Sequence, residues 1–123
     1  MYKNCKISVV IPCYNEESQI GKVFSTMPDY IDYMIAVNDC SKDNTLAVLK
    51  EWVAKEPRIV IIDHETNQGV GAAIASGYKW SRDNGIDIAV VMAGDAQMDP
   101  DEMPKILDPL VNDEYDYAKG NRL

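Results

Sequence analysis

Four short, almost wholly apolar runs recur along this chain, and helical patterns fill the gaps between them. The runs are Ile7 to Pro12, Tyr33 to Val37, Arg58 to Asp63 and Ile88 to Met92. Each is too short for a helix, is rich in β-branched residues, and gives way to a polar or Gly/Pro-containing break. A strand that is apolar at nearly every position must be covered on both faces, because a solvated face would show polar residues at alternate positions. The intervening segments carry the helical period. Ile20, Val23, Phe24 and Met27 form one stripe over Ser18 to Met27. Leu46, Val48, Leu49, Trp52 and Val53 form a second, capped by Asp43 or Asn44 and ended before Pro57. Ala73, Ile74, Gly77 and Trp80 mark the buried side of a third that runs to about Ser81. A further helix is expected from near Glu102, with Asp101 as cap, Pro104 in its first turn and Pro109 ending or kinking it, then a weak fifth strand over Asp116 to Lys119. Strands alternating with helices imply βαβ crossovers. The expected fold is α/β, a mostly parallel sheet with helices on both faces.

A chain of 123 residues, 46% hydrophobic, suits one domain with one continuous core. The formal net charge of −8 leaves no basic footprint for nucleic acid or anionic lipid, so an anionic substrate needs a counter-charge that the protein lacks. Cys5, Cys13 and Cys40 are an odd count without C-x-x-C spacing. With no leader pattern ahead of the first strand, they lead us to expect a reducing, cytoplasmic setting and structural thiols. His64, the single histidine, stands at a strand end and reads as structural rather than as a ligand. No apolar run is long enough to span a bilayer.

In open parallel sheets, ligands bind beyond the carboxyl ends of the strands. The polar clusters fall there: Pro12 to Glu17, Asn38-Asp39, His64 to Gly69, and Gly94 to Gln97 each follow a strand. Turn and cap chemistry accounts for the same residue types, so both readings stand at this level. Asp95 and Gln97 are two apart and, in extended chain, emerge on one face. Their hard oxygen donors suit Mg2+ or Mn2+ rather than zinc or copper. They serve equally as turn residues, with Asp99 capping the next helix. For a nucleotide diphosphate, Tyr14 offers a flat face to the base and Asp39 offers acceptors to base or ribose donors. Gly69 and Gly71 offer unobstructed backbone N–H groups at a helix start, and a metal at Asp95 would offset the diphosphate charge.

Five stretches carry a family resemblance: Val9-Val10-Ile11-Pro12-Cys13-Tyr14-Asn15-Glu16-Glu17, Val37-Asn38-Asp39-Cys40-Ser41-Lys42-Asp43-Asn44-Thr45, Asn67-Gln68-Gly69-Val70-Gly71-Ala72-Ala73, Met92-Ala93-Gly94-Asp95-Ala96-Gln97-Met98-Asp99-Pro100 and Lys119-Gly120-Asn121-Arg122. Each is weak alone, but together, in order and spacing, they resemble the motifs of family 2 glycosyltransferases. The nearest branch is that of the dolichyl-phosphate mannose or glucose synthases. The resemblance implies a GT-A, Rossmann-like fold, a nucleotide-sugar donor, Mg2+ or Mn2+ as cofactor, and a polyprenyl (dolichyl) phosphate acceptor at the cytoplasmic face of a membrane. It matches Pro12, Tyr14 and Glu16 to the first nucleotide-contacting loop and Asp39 to a base contact, with Gly69, Gly71 and Gly94 in the nucleotide-binding set. It matches Asp95 to the last aspartate of a D-x-D metal motif, joined by Gln97, and Arg122 to an acceptor or phosphate contact.

Three positions depart from that pattern. Asn38 and Ala93 stand where aspartates are usual, and Val70 stands where a basic residue is frequent. The resemblance also implies that further strands, with the catalytic carboxylate and acceptor site, would follow Leu123. The expectation is therefore a donor-binding half, residues 1–123, with no general base of its own and exposed sheet edges that favour a homo-oligomer. Three rivals remain: a nucleotidyltransferase, for which the loop after the first strand lacks glycine; a dinucleotide-dependent oxidoreductase, for which Gly69-x-Gly71 is the sole hint; and a non-catalytic nucleotide-sugar-binding module.

Overall fold

The computed structural model of the protein describes residues 5–14, 19–92 and 120–122. Five strands and three helices alternate within them: β1 (Ile7–Cys13), α1 (Ile20–Ser25), β2 (Tyr33–Asp39), α2 (Thr45–Lys55), β3 (Ile59–His64), α3 (Val70–Asp83), β4 (Ile88–Val91) and β5 (Gly120–Arg122). They form one sheet in the order β3-β2-β1-β4-β5. The first four strands are parallel, and β5 runs antiparallel to β4. The expected mostly parallel α/β sheet is what forms.

Both faces of β1 are buried, as its nearly continuous apolar run requires. Ile7, Val9, Ile11 and Cys13 join Ile20, Val23 and Phe24 of α1 and Leu49 of α2 in one core. Val10 faces the other way, into a second cluster with Ile35, Val37, Ala89 and Ala73 of α3. Helices α1 and α2 thus cover one side of the sheet and α3 the other. Burying a side chain such as Ile7 or Ile35 contributes about 1.5–3 kcal/mol. The approach of α3 to β1 depends on Gly77: a Cβ there would lie 2.3 Å from Cγ1 of Val10. One turn on, the Ser81 and Ser8 hydroxyls meet at 2.7 Å, so two buried polar groups satisfy each other across the same interface.

Several boundaries differ from expectation, each for a local reason. Helix α1 ends at Ser25 rather than Met27, where the Thr26 hydroxyl donates back to the Lys22 carbonyl at 2.7 Å and Pro28 follows. Asn44 occupies the N-cap position of α2 without a side-chain bond. Asp43 does that work instead, its Oδ1 accepting from both the Thr45 amide and the Thr45 hydroxyl. Helix α3 runs on to Asp83, and its third buried position is Ser81, not Trp80. Trp80 packs at the margin of the core, edge-on to Tyr33 with ring centroids 5.1 Å apart. The expected fifth strand over 116–119 and the helix from near 102 lie outside the described residues. The fifth strand that is described, Gly120–Arg122, falls where only a chain end was read, because pairing with β4 rather than residue propensity makes it a strand.

At the amino edge, the Asp32 and Asp87 carboxylates accept the Ile7 and Lys6 amides at 2.7 Å each. Arg58 donates to the Pro28 and Ile31 carbonyls at 3.0 and 3.1 Å and pairs with Glu56. This edge is stitched to its own loops.

Candidate nucleotide-binding site

The sheet order places a topological switch point between β1 and β4, since chain connection proceeds toward β3 on one side of β1 and toward β4 on the other. The loops leaving β1 and β4 therefore begin side by side, where open α/β sheets bind ligands. The β4 ladder reaches Val10↔Val91, extended by the Met92 amide donating to the Val10 carbonyl at 2.9 Å. Past that point the described pairing of β1 is with β2 alone, which is why Pro12, lacking an N–H, is tolerated in an otherwise central strand. Tyr14 follows at the rim and is 39% exposed, a large aromatic kept within reach of solvent. Glu16, Gly94, Asp95 and Gln97 lie outside the described residues.

Beside this rim, β2 and β3 end in two polar cross-strand pairs, Asn38↔Asp63 and Asp39↔His64. Asn38 is buried, and its amide donates to Oδ1 of Asp63 at 2.9 Å while its own Oδ1 accepts from Ser41. An aspartate at 38 would set two carboxylates against each other, so asparagine and Asp63 form a matched pair.

Asp39 is buried and accepts three bonds. Its Oδ1 takes the Gln68 amide at 2.8 Å and faces His64 Nδ1 at 3.0 Å, and its Oδ2 takes the Gly69 amide at 2.8 Å. Burial pushes the Asp39 carboxyl up, but the hydrogen bonds from Gln68, His64 and Gly69 outweigh it and hold it below its ordinary 3.8. The carboxylate proposed from sequence as a base contact is thus an anchor for the β3–α3 loop. His64 Nε2 lies 3.0 Å from the Ser76 hydroxyl. Carboxylate, imidazole and hydroxyl stand in the order of a nucleophilic triad, but Ser76 sits in the middle of α3, where neighbouring amides are held in helical bonds and cannot serve an oxyanion.

The Asp39 clamp fixes the start of α3. Gly69, at φ 92° and ψ 163°, takes a positive-φ extended conformation that glycine adopts freely, and its carbonyl accepts the first helical bond, from Ala73 at 3.1 Å. The amides of Val70, Gly71 and Ala72 precede that bond and have no intrahelical acceptor. The Gly69 amide, by contrast, is taken by Asp39, so the donors for an anion are these three. Among the described residues, no side chain caps the helix, and a Cβ on Gly71 would meet nothing within 4 Å.

Arg122 pairs with Ile88, the first residue of β4, so its backbone is at the amino end of that strand, away from the polar rim. Its assignment as a phosphate or acceptor contact draws no support from that placement. Among the described residues no group of three His, Cys, Asp or Glu side chains could hold a metal ion, and the Cys13 thiol donates to the Ile11 carbonyl at 3.3 Å. No described helix is long and apolar enough to cross a membrane.

Residues 8–123 match the family model described as Glycosyl transferase family 2. A UDP-N-acetylglucosamine–dolichyl-phosphate N-acetylglucosaminyltransferase of Methanococcus voltae is 35% identical over 95% of this chain and 52% of its own length. A dolichol-phosphate mannosyltransferase of Pyrococcus furiosus is 31% identical over 95% of this chain and 33% of its own. The chain therefore spans about half or less of the curated relatives it matches. Among solved structures, a mannosyltransferase of Pyrobaculum calidifontis in complex with GDP-Man and Mn2+ superposes with a TM-score of 0.72 at 19% identity, covering 86% of this chain and 32% of that one. A Mycobacterium tuberculosis glucosyl-3-phosphoglycerate synthase in complex with Mn2+, UDP and glucosyl-3-phosphoglycerate gives 0.66 at 24%, covering 87% and 40%. These likenesses show a shared GT-A fold.

Proposed function

Because the chain belongs to the family 2 glycosyltransferases, we propose that its carboxyl rim binds a nucleotide-diphosphate sugar for transfer to a polyprenyl phosphate. The observation that carries this reading is the Asp39 clamp. Two loop amides locked on one buried carboxylate hold the first turn of α3, with its three N–H groups and, among the described residues, open space before Gly71, at the carboxyl ends of β2 and β3 beside the switch point. The helix N-terminus favours the diphosphate. Tyr14, exposed on the neighbouring strand end, supplies a stacking face for the base. Asp39 orients this site through the loop, and its remaining lone-pair capacity is open to a base or ribose donor.

Asp95 and Gln97 are a donor set of one carboxylate and one amide oxygen, which fits Mg2+ or Mn2+ with the diphosphate completing the coordination. When bound, that ion would neutralise the leaving diphosphate, a charge this acidic chain cannot offset alone. In the transfer, an oxygen of the acceptor phosphate bonds to the anomeric carbon as the bond to the diphosphate breaks, and the nucleoside diphosphate departs with that electron pair. A phosphate acceptor is already an anionic nucleophile, so the step needs no general base. The part proposed for these 123 residues is donor binding.

Titration calorimetry with UDP and GDP, in Mn2+ and in EDTA, tests the reading. One of the two is expected to bind in Mn2+ and to weaken in EDTA, and Asp95→Asn is expected to lose about 1–3 kcal/mol of the metal-supported affinity. Equal affinity in Mn2+ and EDTA would remove the metal from the account.

A further inference from the structure

We propose that His64 is a positioning residue for the nucleotide: its ring, held between Asp39 and Ser76, fixes the carboxylate that locks the Gln68 and Gly69 amides and thereby sets the first turn of α3. The inference rests on the reading of this rim as the donor site. Three elements converge on the ring, Asp39 from β2, Ser76 from α3 and His64 itself from β3, with both ring nitrogens engaged at 3.0 Å. The His64 and Asp39 side chains are 8% and 6% exposed, so water does not substitute readily for either partner. A carboxylate only accepts, so Nδ1 carries a proton toward Asp39, and Nε2 is left to bond the Ser76 hydroxyl, which can donate or accept. Without the imidazole, Asp39 keeps two donors, both from the loop it has to hold, and no side chain of β3 fixes its rotation. The loop would then be tied to a carboxylate that is itself loose.

Two isosteres separate the ring's two bonds. The amide nitrogen of asparagine falls where Nδ1 stands and keeps the bond to Asp39, whereas that of glutamine reaches the place of Nε2 and keeps only the bond to Ser76. On the full 123-residue chain, we measure affinity for Mn2+ with UDP or GDP by calorimetry and hydrogen exchange of the Gln68 and Gly69 amides by NMR. His64→Gln is expected to bind nucleotide about tenfold more weakly, equivalent to ~1.4 kcal/mol, and to exchange faster at both amides. His64→Asn is expected to stay within about twofold of the wild type in both readouts. A merely structural histidine would weaken both variants alike, and that result, or unchanged exchange in His64→Gln, overturns the proposal. Should His64→Gln fail to fold, the wild type decides. Saturating nucleotide is expected to move the His64 Nδ1–H resonance through Asp39, and an unmoved resonance overturns the proposal. A wild type that binds neither nucleotide sinks the donor-site reading, and amide exchange in His64→Gln then decides by itself whether the ring positions the loop.

Discussion

Restoring the aspartate that the family pattern places at position 38 should damage this protein. Asn38 is 3% exposed and donates to Asp63 at 2.9 Å, so Asn38→Asp replaces a hydrogen bond by two carboxylates at contact distance. Two unit charges about 3.5 Å apart repel by about 4–5 kcal/mol at an effective dielectric of about 20. Two effects limit that figure. Asp63 is exposed and can swing toward water, and taking up a shared proton at pH 7 costs about 4 kcal/mol for a carboxyl of ordinary affinity. With the lost bond included, a net loss of about 2–3 kcal/mol is expected at pH 7. Urea denaturation at pH 7 and pH 4, each against the wild type at the same pH, reads it directly. The variant pair binds a proton more tightly when folded than when unfolded, so its deficit should shrink as pH falls. The double variant Asn38→Asp with Asp63→Asn reverses donor and acceptor and should recover most of the loss. A single variant as stable as wild type at pH 7, or a deficit independent of pH, would refute the matched-pair reasoning.

Gly77→Ala should cost about 1–3 kcal/mol by driving a methyl into Val10, and adding Val10→Ala should return part of it; denaturation midpoints check both. Gly71→Ala should do the opposite, raising stability by up to about 1 kcal/mol because its methyl, within a helix, meets none of the described residues, while weakening nucleoside diphosphate binding where the ligand must approach the α3 amides. Melting temperature and calorimetric affinity should therefore move in opposite senses. Asp39 binds protons less readily folded than unfolded, so the stability it contributes is present above its ordinary 3.8 and is lost as pH falls through the lower folded value. Asp39→Asn should accordingly flatten the acid limb of melting temperature against pH.

The strands were legible because a parallel strand covered on both faces admits few polar residues, and β1 to β4 each began within a residue of where the apolar runs start. Trp80 and Ser81 show where periodicity fails: burial at the α3–β1 interface is decided by closeness, which admits Gly77 and a hydroxyl paired with Ser8 but sends the indole to the margin. The rim clusters were visible as polar breaks, and Asp39 stood out as an acid at a strand end. What it binds was not visible, because Gln68 and Gly69 are 29 and 30 residues away and only the β2–β3 register brings them together. His64 was read as structural, and its place between Asp39 and Ser76 gives that reading a physical content no one-dimensional pattern holds. β5 was unreadable at Gly120-Asn121-Arg122, since a sheet edge supplied by β4 can order residues with little strand preference of their own.

The most direct test of the account is an amide chemical-shift map of the chain titrated with UDP or GDP in the presence of Mg2+, which spares the spectrum the broadening that Mn2+ causes. The account predicts perturbations clustered at the carboxyl rim, at Tyr14, at Gln68 through Ala72 and at Asp95 and Gln97, with the amino edge around Lys6, Asp32, Arg58 and Asp87 unmoved. Perturbations centred on that amino edge, or none at saturating nucleotide, would contradict it.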